Sequence, residues 1–134
     1  MKSLALIMSL SFSIAAFAET TPTAAVKALL PVGEYGTSNC SISVSESDKA
    51  VTIKVTQGEE TNSFTVVDEA YNYSSEFNLF SAVQNIPSIH PRQKSLILKK
   101  LEKMEAYAFI SNVYLDSNGD DHGTYTECLV SRSK

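Results

Sequence analysis

Cys40 and Cys128 are the only cysteines of a 134-residue chain. They stand 88 positions apart, 40 to 128, in two segments that both alternate apolar with polar residues. What such a pair does depends on where the chain goes. Lys2 is followed by an apolar run from Leu4 to Phe17, with Ala16-Phe17-Ala18 ahead of Glu19. A basic start, an apolar middle and an A-x-A cleavage site make residues 1–18 a secretory signal peptide. The run is shorter than the ~20 residues that a membrane span needs, and Glu19 offers no thiol for lipid attachment. The expected product is therefore periplasmic or extracellular, with no stable membrane anchor. Export puts both thiols where thiols oxidise, so a Cys40–Cys128 disulfide is expected. Closing so long a loop stabilises by roughly 4–5 kcal/mol on the chain-entropy account. A metal pair or a redox couple would call for close C-x-x-C spacing.

Such a bridge requires the first long strand to approach the last. Residues 19–32 read as a tail or a short helix: Thr21 is a capping type, Pro22 suits the first helical position, and Pro31 ends the segment. From Gly33 the period changes to two, and residues 33–134 are expected to form a single β-rich domain. Cys40, Ile42 and Val44 alternate with serines, and after the turn Glu46-Ser47-Asp48-Lys49 so do Val51, Ile53 and Val55 with polar residues. Gln57-Gly58-Glu59-Glu60 turns again before Phe64 and Val66, which gives a three-stranded meander with one buried face. Residues 68–91 read as a long loop with a short strand near Glu76–Phe80. Arg92 to Glu105 lacks Gly and Pro and puts Ile97, Leu98, Leu101 and Met104 on one helical face. An amphipathic helix over about 91–105 follows.

The last hairpin registers about Asn118-Gly119. As the centre of a two-residue type I′ turn, this pair sets Phe109 opposite Cys128 and Tyr107 opposite Val130. One face then collects Tyr107, Phe109, Val113, Leu115, Cys128 and Val130 as core. The other collects Ala108, Ile110, Tyr114, Tyr125 and Leu129, too apolar to face water without a cover. The fold class is mainly β, a small antiparallel barrel or sandwich with one amphipathic helix. Gly33-Glu34-Tyr35 resembles the Gly-x-Trp opening of lipocalins, with tyrosine in place of tryptophan. That resemblance spans three residues and carries over no site residue or ligand.

Charge bears on partners. Losing Lys2 with the leader takes the formal net charge from −4 to −5, which argues against nucleic acid. The basic residues gather in one strip, Arg92, Lys94, Lys99, Lys100 and Lys103. No G-x-S-x-G or S-x-x-K motif accompanies the serines, no catalytic set is assigned, and no cofactor is expected. Asp116, Asn118, Asp120, Thr124 and Glu127 match oxygen positions of a calcium loop counted from Asp116. Asp121, however, stands where that loop needs glycine, and the flanks read as strand. No metal is expected, and Asp116, Asn118, Asp120 and Glu127 are the residues that would hold one.

The aromatic group Tyr71, Tyr73, Phe77 and Phe80 and the hairpin residues Ile110, Tyr114, Tyr125 and Leu129 are the binding candidates. The expected function is that of an exported, monomeric, non-enzymatic binding protein for a small ligand or a protein partner. The alternative is a proteinaceous inhibitor of a secreted hydrolase, in which a rigid loop such as Asp116–Gly123 plugs an enzyme cleft.

Overall fold

The computed structural model describes residues 21–67, 71–101 and 105–131, so the signal-peptide reading of 1–18 lies outside the described residues. A short helix, α1 (Pro22–Leu29), precedes two antiparallel sheets. The first holds β1 (Gly33–Gly36), β2 (Cys40–Ser47), β3 (Ala50–Gln57) and β4 (Glu60–Val66) in that order. The second holds β5 (Tyr71–Ser74), β6 (Leu79–Ile86), β7 (Arg92–Lys100), β8 (Glu105–Leu115) and β9 (Asp121–Ser131), again in chain order. The sheets pack face to face as a sandwich. A barrel is excluded, because closure would need an edge strand of one sheet to hydrogen-bond an edge strand of the other, and none does.

The meander of the sequence reading is β2, β3 and β4, and its apolar phase fills one side of the core with Ile42, Val44, Val51, Ile53, Val55, Phe64 and Val66. From the second sheet come Phe80, Ala82, Leu96, Leu98, Ala106, Ala108, Ile110, Cys128 and Val130. The first sheet does not cover all of this surface. Strands β2, β3 and β4 lie against β9, whereas β5, β6 and β7 are met by α1. Eight residues are too few to hold a helix in water. The hydroxyl of Thr21 accepts the N–H of Ala24 at 3.2 Å to cap α1, and Ala25, Val26 and Leu29 are buried beneath it. Lys27 ties the helix to Glu46 at 2.9 Å, and the Tyr35 hydroxyl donates to the Pro31 carbonyl at 2.7 Å.

Three sequence expectations give way. The helix over 91–105 is strand β7 from Arg92 to Lys100, with residues 102–104 outside the described residues. Leu96 and Leu98 point inward while Ile97 is 37% exposed on the other face. An apolar residue on the outer face breaks the period-2 contrast and lets the stretch imitate a helix. Pairing with β6 and β8 on both sides decides the matter, since tertiary context overrides local propensity. The same loss of contrast hid β5 and β6 in the segment read as a loop, where Leu79 and Val83 stand outward opposite in phase to Phe80 and Ala82.

The hairpin register is also one residue off. Ala108, not Phe109, faces Cys128, and Ala106, not Tyr107, faces Val130. The loop has three residues between Asp116 and Asp120: Gly119 N–H donates to the Asp116 carbonyl at 3.0 Å and Asp116 N–H to the Asp120 carbonyl at 3.0 Å. Only Gly119 has positive φ, 85°, so this is a type I turn closed by a glycine bulge. A slip of one residue exchanges the faces: Tyr107, Phe109, Val113 and Leu115 stand outward, and Ala108 and Ile110 are core.

The Cys40–Cys128 disulfide joins β2 to β9 with Cα atoms 5.6 Å apart, and there is no free cysteine among the described residues. Reducing it, or making Cys40→Ser with Cys128→Ser, is expected to lower stability by up to roughly 4–5 kcal/mol. A denaturant midpoint unchanged by reduction would remove loop closure from the account of this fold.

Candidate functional site

The eight binding candidates do not converge. Tyr71 and Tyr73 of β5 are in the inward phase, half-buried against the core, and Tyr71 stacks on Phe80 with ring centroids 5.7 Å apart. Phe80 and Ile110 are fully buried and present nothing to a ligand at the surface. Phe77 stands 62% exposed in the β5–β6 turn, the end of the sheet opposite the β6–β7 loop. Tyr114 belongs to the inward phase of β8. Tyr125 and Leu129 share the outer face of the second sheet.

Cross-strand register shows what surrounds that last pair. One row across β6, β7, β8 and β9 reads Ser81, Ile97, Phe109, Glu127; the rows beside it read Val83, Ser95, Ser111, Tyr125 and Leu79, Lys99, Tyr107, Leu129. Tyr125 is 67% exposed, Leu129 46%, Val83 44% and Ile97 37%, and Tyr125 stacks on Phe109 at 6.0 Å. Solitary exposed apolar residues are ordinary, but a contiguous set on one sheet face is not. The two charges within the rows are engaged locally: Lys99 donates to the Phe77 carbonyl, and Glu127 accepts from the Tyr107 hydroxyl. Partial burial, then the bond to Glu127 and its charge, push the Tyr107 phenol up to about 12. Val83, Ile97 and Phe109 were missed in the sequence because β6 and β7 were not read as strands and the hairpin was misregistered.

Toward the far end of this sheet the inward phase runs out of cover. Along β9, Val130, Cys128 and Thr126 are buried, while Thr124 and His122 are exposed. Asn62 of β4 marks the limit, donating to Thr126 at 3.4 Å and accepting from Thr124 at 3.2 Å. Beyond it lies a cross-strand ladder. The Arg92 guanidinium sits 5.7 Å from the Tyr114 ring centroid, the Tyr114 and His122 rings stack at 5.4 Å, and His122 Nε2 is 2.6 Å from the Asp116 carboxylate. The other oxygen of Asp116 accepts the N–H groups of Asn118 and Asp120, each at 2.9 Å. Those bonds, led by the one from Asp120 and then that from His122, hold the Asp116 carboxyl below its ordinary 3.8. With Asp116 bonded inside the turn and Glu127 to Tyr107, the calcium-loop residues are aimed apart. Among the described residues no three His, Cys, Asp or Glu side chains gather at one point.

A cleft of about 700 Å³ opens at the same end, where the β6–β7 loop passes the β8–β9 hairpin. Ile86, Pro87, Pro91, Val113 and Leu115 give it apolar walls, and Asn85, Gln93, Arg92 and Asp121 also border it. Gln93 donates to the Asn85 side chain at 3.0 Å, and the Leu115 N–H donates to the Pro91 carbonyl at 3.3 Å, tying the loop to the hairpin. The sequence signal for this feature is the pair Pro87 and Pro91 around three loop residues, which meant little while the neighbouring strands were unread.

No family model, no curated protein and no solved structure matches the chain, so the chemistry of these surfaces carries the functional argument.

Two titrations probe the site. The depressed Asp116 carboxyl contributes stability that is present above its unfolded value near 3.8 and is lost as pH falls through the lower folded value. Asp116→Asn should therefore melt below the wild type at pH 7 and converge with it in acid; a gap that stays constant with pH would deny the charge its role. Tyr107 has the opposite sign: its raised value favours the folded state below about pH 10, and that contribution is lost as pH climbs toward about 12. In an absorbance titration one phenol should ionise last, and Glu127→Gln should bring it down toward the others.

Proposed function

We propose that the mature chain is an exported binding protein that recruits a protein partner with the outer face of its five-stranded sheet. The observation that carries this reading is the outer-face set Val83, Ile97, Tyr125 and Leu129, all exposed, with half-buried Phe109 stacked on Tyr125. Antiparallel sheets with one solvated face usually alternate apolar-in with polar-out, and this sheet is apolar on both faces. Aromatic residues enriched in a patch whose charges are satisfied at its margin suit the centre of a protein interface. The interior of the sandwich is filled by Phe64, Phe80, Leu96, Leu98 and Ile110, all fully buried, which argues against a ligand held between the sheets.

Export rests on the basic, apolar and A-x-A pattern of residues 1–18 and agrees with a disulfide in the mature part. No helix among the described residues is long and apolar enough to cross a membrane. The inhibitor alternative would use the acidic tip from Asp116 to Gly123, whose leading carboxylate bonds its own backbone and His122 and so holds the loop in shape; no described feature favours it over the sheet face.

Tyr125→Ser with Leu129→Ser should leave the melting temperature close to that of the wild type, since both side chains stand outside the core. The same pair should weaken capture of a cross-linked partner from the native exported fraction by about tenfold or more. Thr52→Ser and Thr65→Ser, whose hydroxyls bond each other on the first sheet, serve as the control. Equal capture by the wild type and the Tyr125/Leu129 variant would sink the reading.

A further inference from the structure

We propose that the open edge of β4 takes up an extended acidic segment of a protein partner as a fifth strand of the first sheet. The place for it is set by how the two sheets overlap. Along β9, Cys128 meets Cys40 of β2, the N–H of Glu127 meets the Gln57 side chain of β3, and Thr126 and Thr124 meet Asn62 of β4. Strands of the first sheet thus cross β9 in order toward its Asp121 end, and β4 is the last of them. The second sheet continues beyond it. Lys94, Asn112 and Thr124 form the row beneath β4, and Arg92, Tyr114 and His122 form the next row, about 7 Å further out. A strand added to β4 at the usual spacing of about 4.8 Å stands over that outer row.

The edge itself is open. Gly58-Glu59 is a two-residue turn, and Gln57 pairs with Glu60 across it, so these two exchange hydrogen bonds and the pairing alternates from there. Asn62 and Phe64 direct their backbone groups to β3; Thr61, Ser63 and Thr65 direct theirs away from it. Among the described residues β4 has one neighbour in its sheet, and no loop bonds those three backbones. Edge strands are commonly guarded by proline, lysine or a bulge, whereas Glu60–Val66 contains none of these. The Lys94 ammonium reaches in from the second sheet, to the Ser63 carbonyl at 3.3 Å.

Charge decides the occupant. Neither Lys94 nor Arg92 belongs to an ion pair among the described residues, Lys27–Glu46 and His122–Asp116 being the pairs formed. Asp116 is already bonded by two N–H groups and His122, so the floor under the vacant place holds two unpaired cations. In an antiparallel pairing, residues opposite Thr61, Ser63 and Thr65 make the backbone bonds and turn outward with them, while the residues between turn to the floor. Those inward residues are therefore acidic. Backbone bonds give strand addition its affinity, and the alternate side chains give it specificity. A second copy of the chain does not fit. Pairing β4 with β4 is two-fold about an axis normal to the sheet, and both second sheets, projecting past β4 on the same side, then collide.

This site lies on the inner face of the second sheet and the partner surface proposed above on its outer face, so the two can fail separately. The test uses the mature, disulfide-bonded protein and the peptide Thr-Glu-Thr-Glu-Thr with both ends blocked, and follows amide exchange at Thr61, Ser63 and Thr65. Exchange at all three should slow by about tenfold or more at saturation, with a dissociation constant below about 1 mM, while Asn62 and Phe64, already bonded to β3, should change less. Proline in place of the central threonine removes a ladder donor and should abolish the protection. Lysines in place of the glutamates should weaken binding about tenfold or more, against the net negative charge of the whole chain. Arg92→Gln should weaken the acidic peptide about tenfold, the worth of a charge-assisted bond, and Tyr125→Ser with Leu129→Ser should leave it unchanged. If Arg92→Gln lowers the melting temperature, the three peptides on the wild type decide the question. No protection up to about 10 mM peptide, tenfold above that limit, equal binding of the lysine peptide, or equal protection by the proline peptide would overturn the proposal. Protection that rises with protein concentration in the absence of peptide would overturn it too, by assigning the edge to a second copy.

Discussion

The structure depends on a mismatch between its two sheets. A five-stranded sheet offers more apolar inner surface than the four-stranded sheet opposite it covers, and each uncovered part must be dealt with separately. Strands β8 and β9 receive the first sheet, and the disulfide from Cys40 to Cys128 fixes that overlap at the start of β2. Strands β5, β6 and β7 receive α1, whose four buried side chains stand in for missing strands. An eight-residue helix with so little stability of its own is thus held by the core that it completes. At the far end, among the described residues, the inner phase of β9 becomes exposed past Asn62, from Thr124 to His122. There apolar residues give way to Arg92, Tyr114 and His122, which stack on one another, with His122 bonded on to Asp116.

What the sequence made legible follows from the same mismatch. Where one face is buried and the other wet, as in β2, β3 and β4, alternation named the strands and their inward residues correctly. The disulfide was legible too, because only two cysteines were available and both fell in the inward phase of their strands. Legibility ended where both faces of a strand are apolar. Ile97 between Leu96 and Leu98, and Val83 beside Ala82, carry no period-2 contrast, and a lysine-rich flank completed the likeness of β7 to an amphipathic helix. For the hairpin the obstacle was turn chemistry: Asn-Gly serves both a two-residue turn and a longer one closed by a glycine bulge. The choice between them moves the register by one.

That single residue separates core from surface. Under the two-residue turn Phe109 and Tyr107 would fill the core and Ile110 would need a cover. Under the observed bulge, small Ala106 and Ala108 face inward, where β9 packs close to β2 and β3, and the bulkier residues face out. Volume supports this: the disulfide brings β2 and β9 Cα atoms to 5.6 Å, and alanine opposite Cys128 leaves room for such an approach where phenylalanine would not. Gly123 makes a related point, since a Cβ there would come within 2.5 Å of the Asn112 carbonyl oxygen. The alanines and this glycine are the sequence trace of the register, and a reading weighted by side-chain volume as well as hydrophobicity would have chosen the bulge.

The aromatic surplus on the outer face of β8 follows from the packing inside it. Once alanines are required inside β8, the amphipathic alternation of that strand inverts in bulk, and Tyr107 and Phe109 stand outward with Ile97 beside them. Water would favour polar residues at these positions, and the serines at 81, 95 and 111 show that the sheet accepts them without loss of pairing. Exposed Tyr125 and Leu129 are therefore not imposed by the packing beneath them. On the proposed reading, their place beside three serines suits a face that stays wet when free and loses water only when a partner binds.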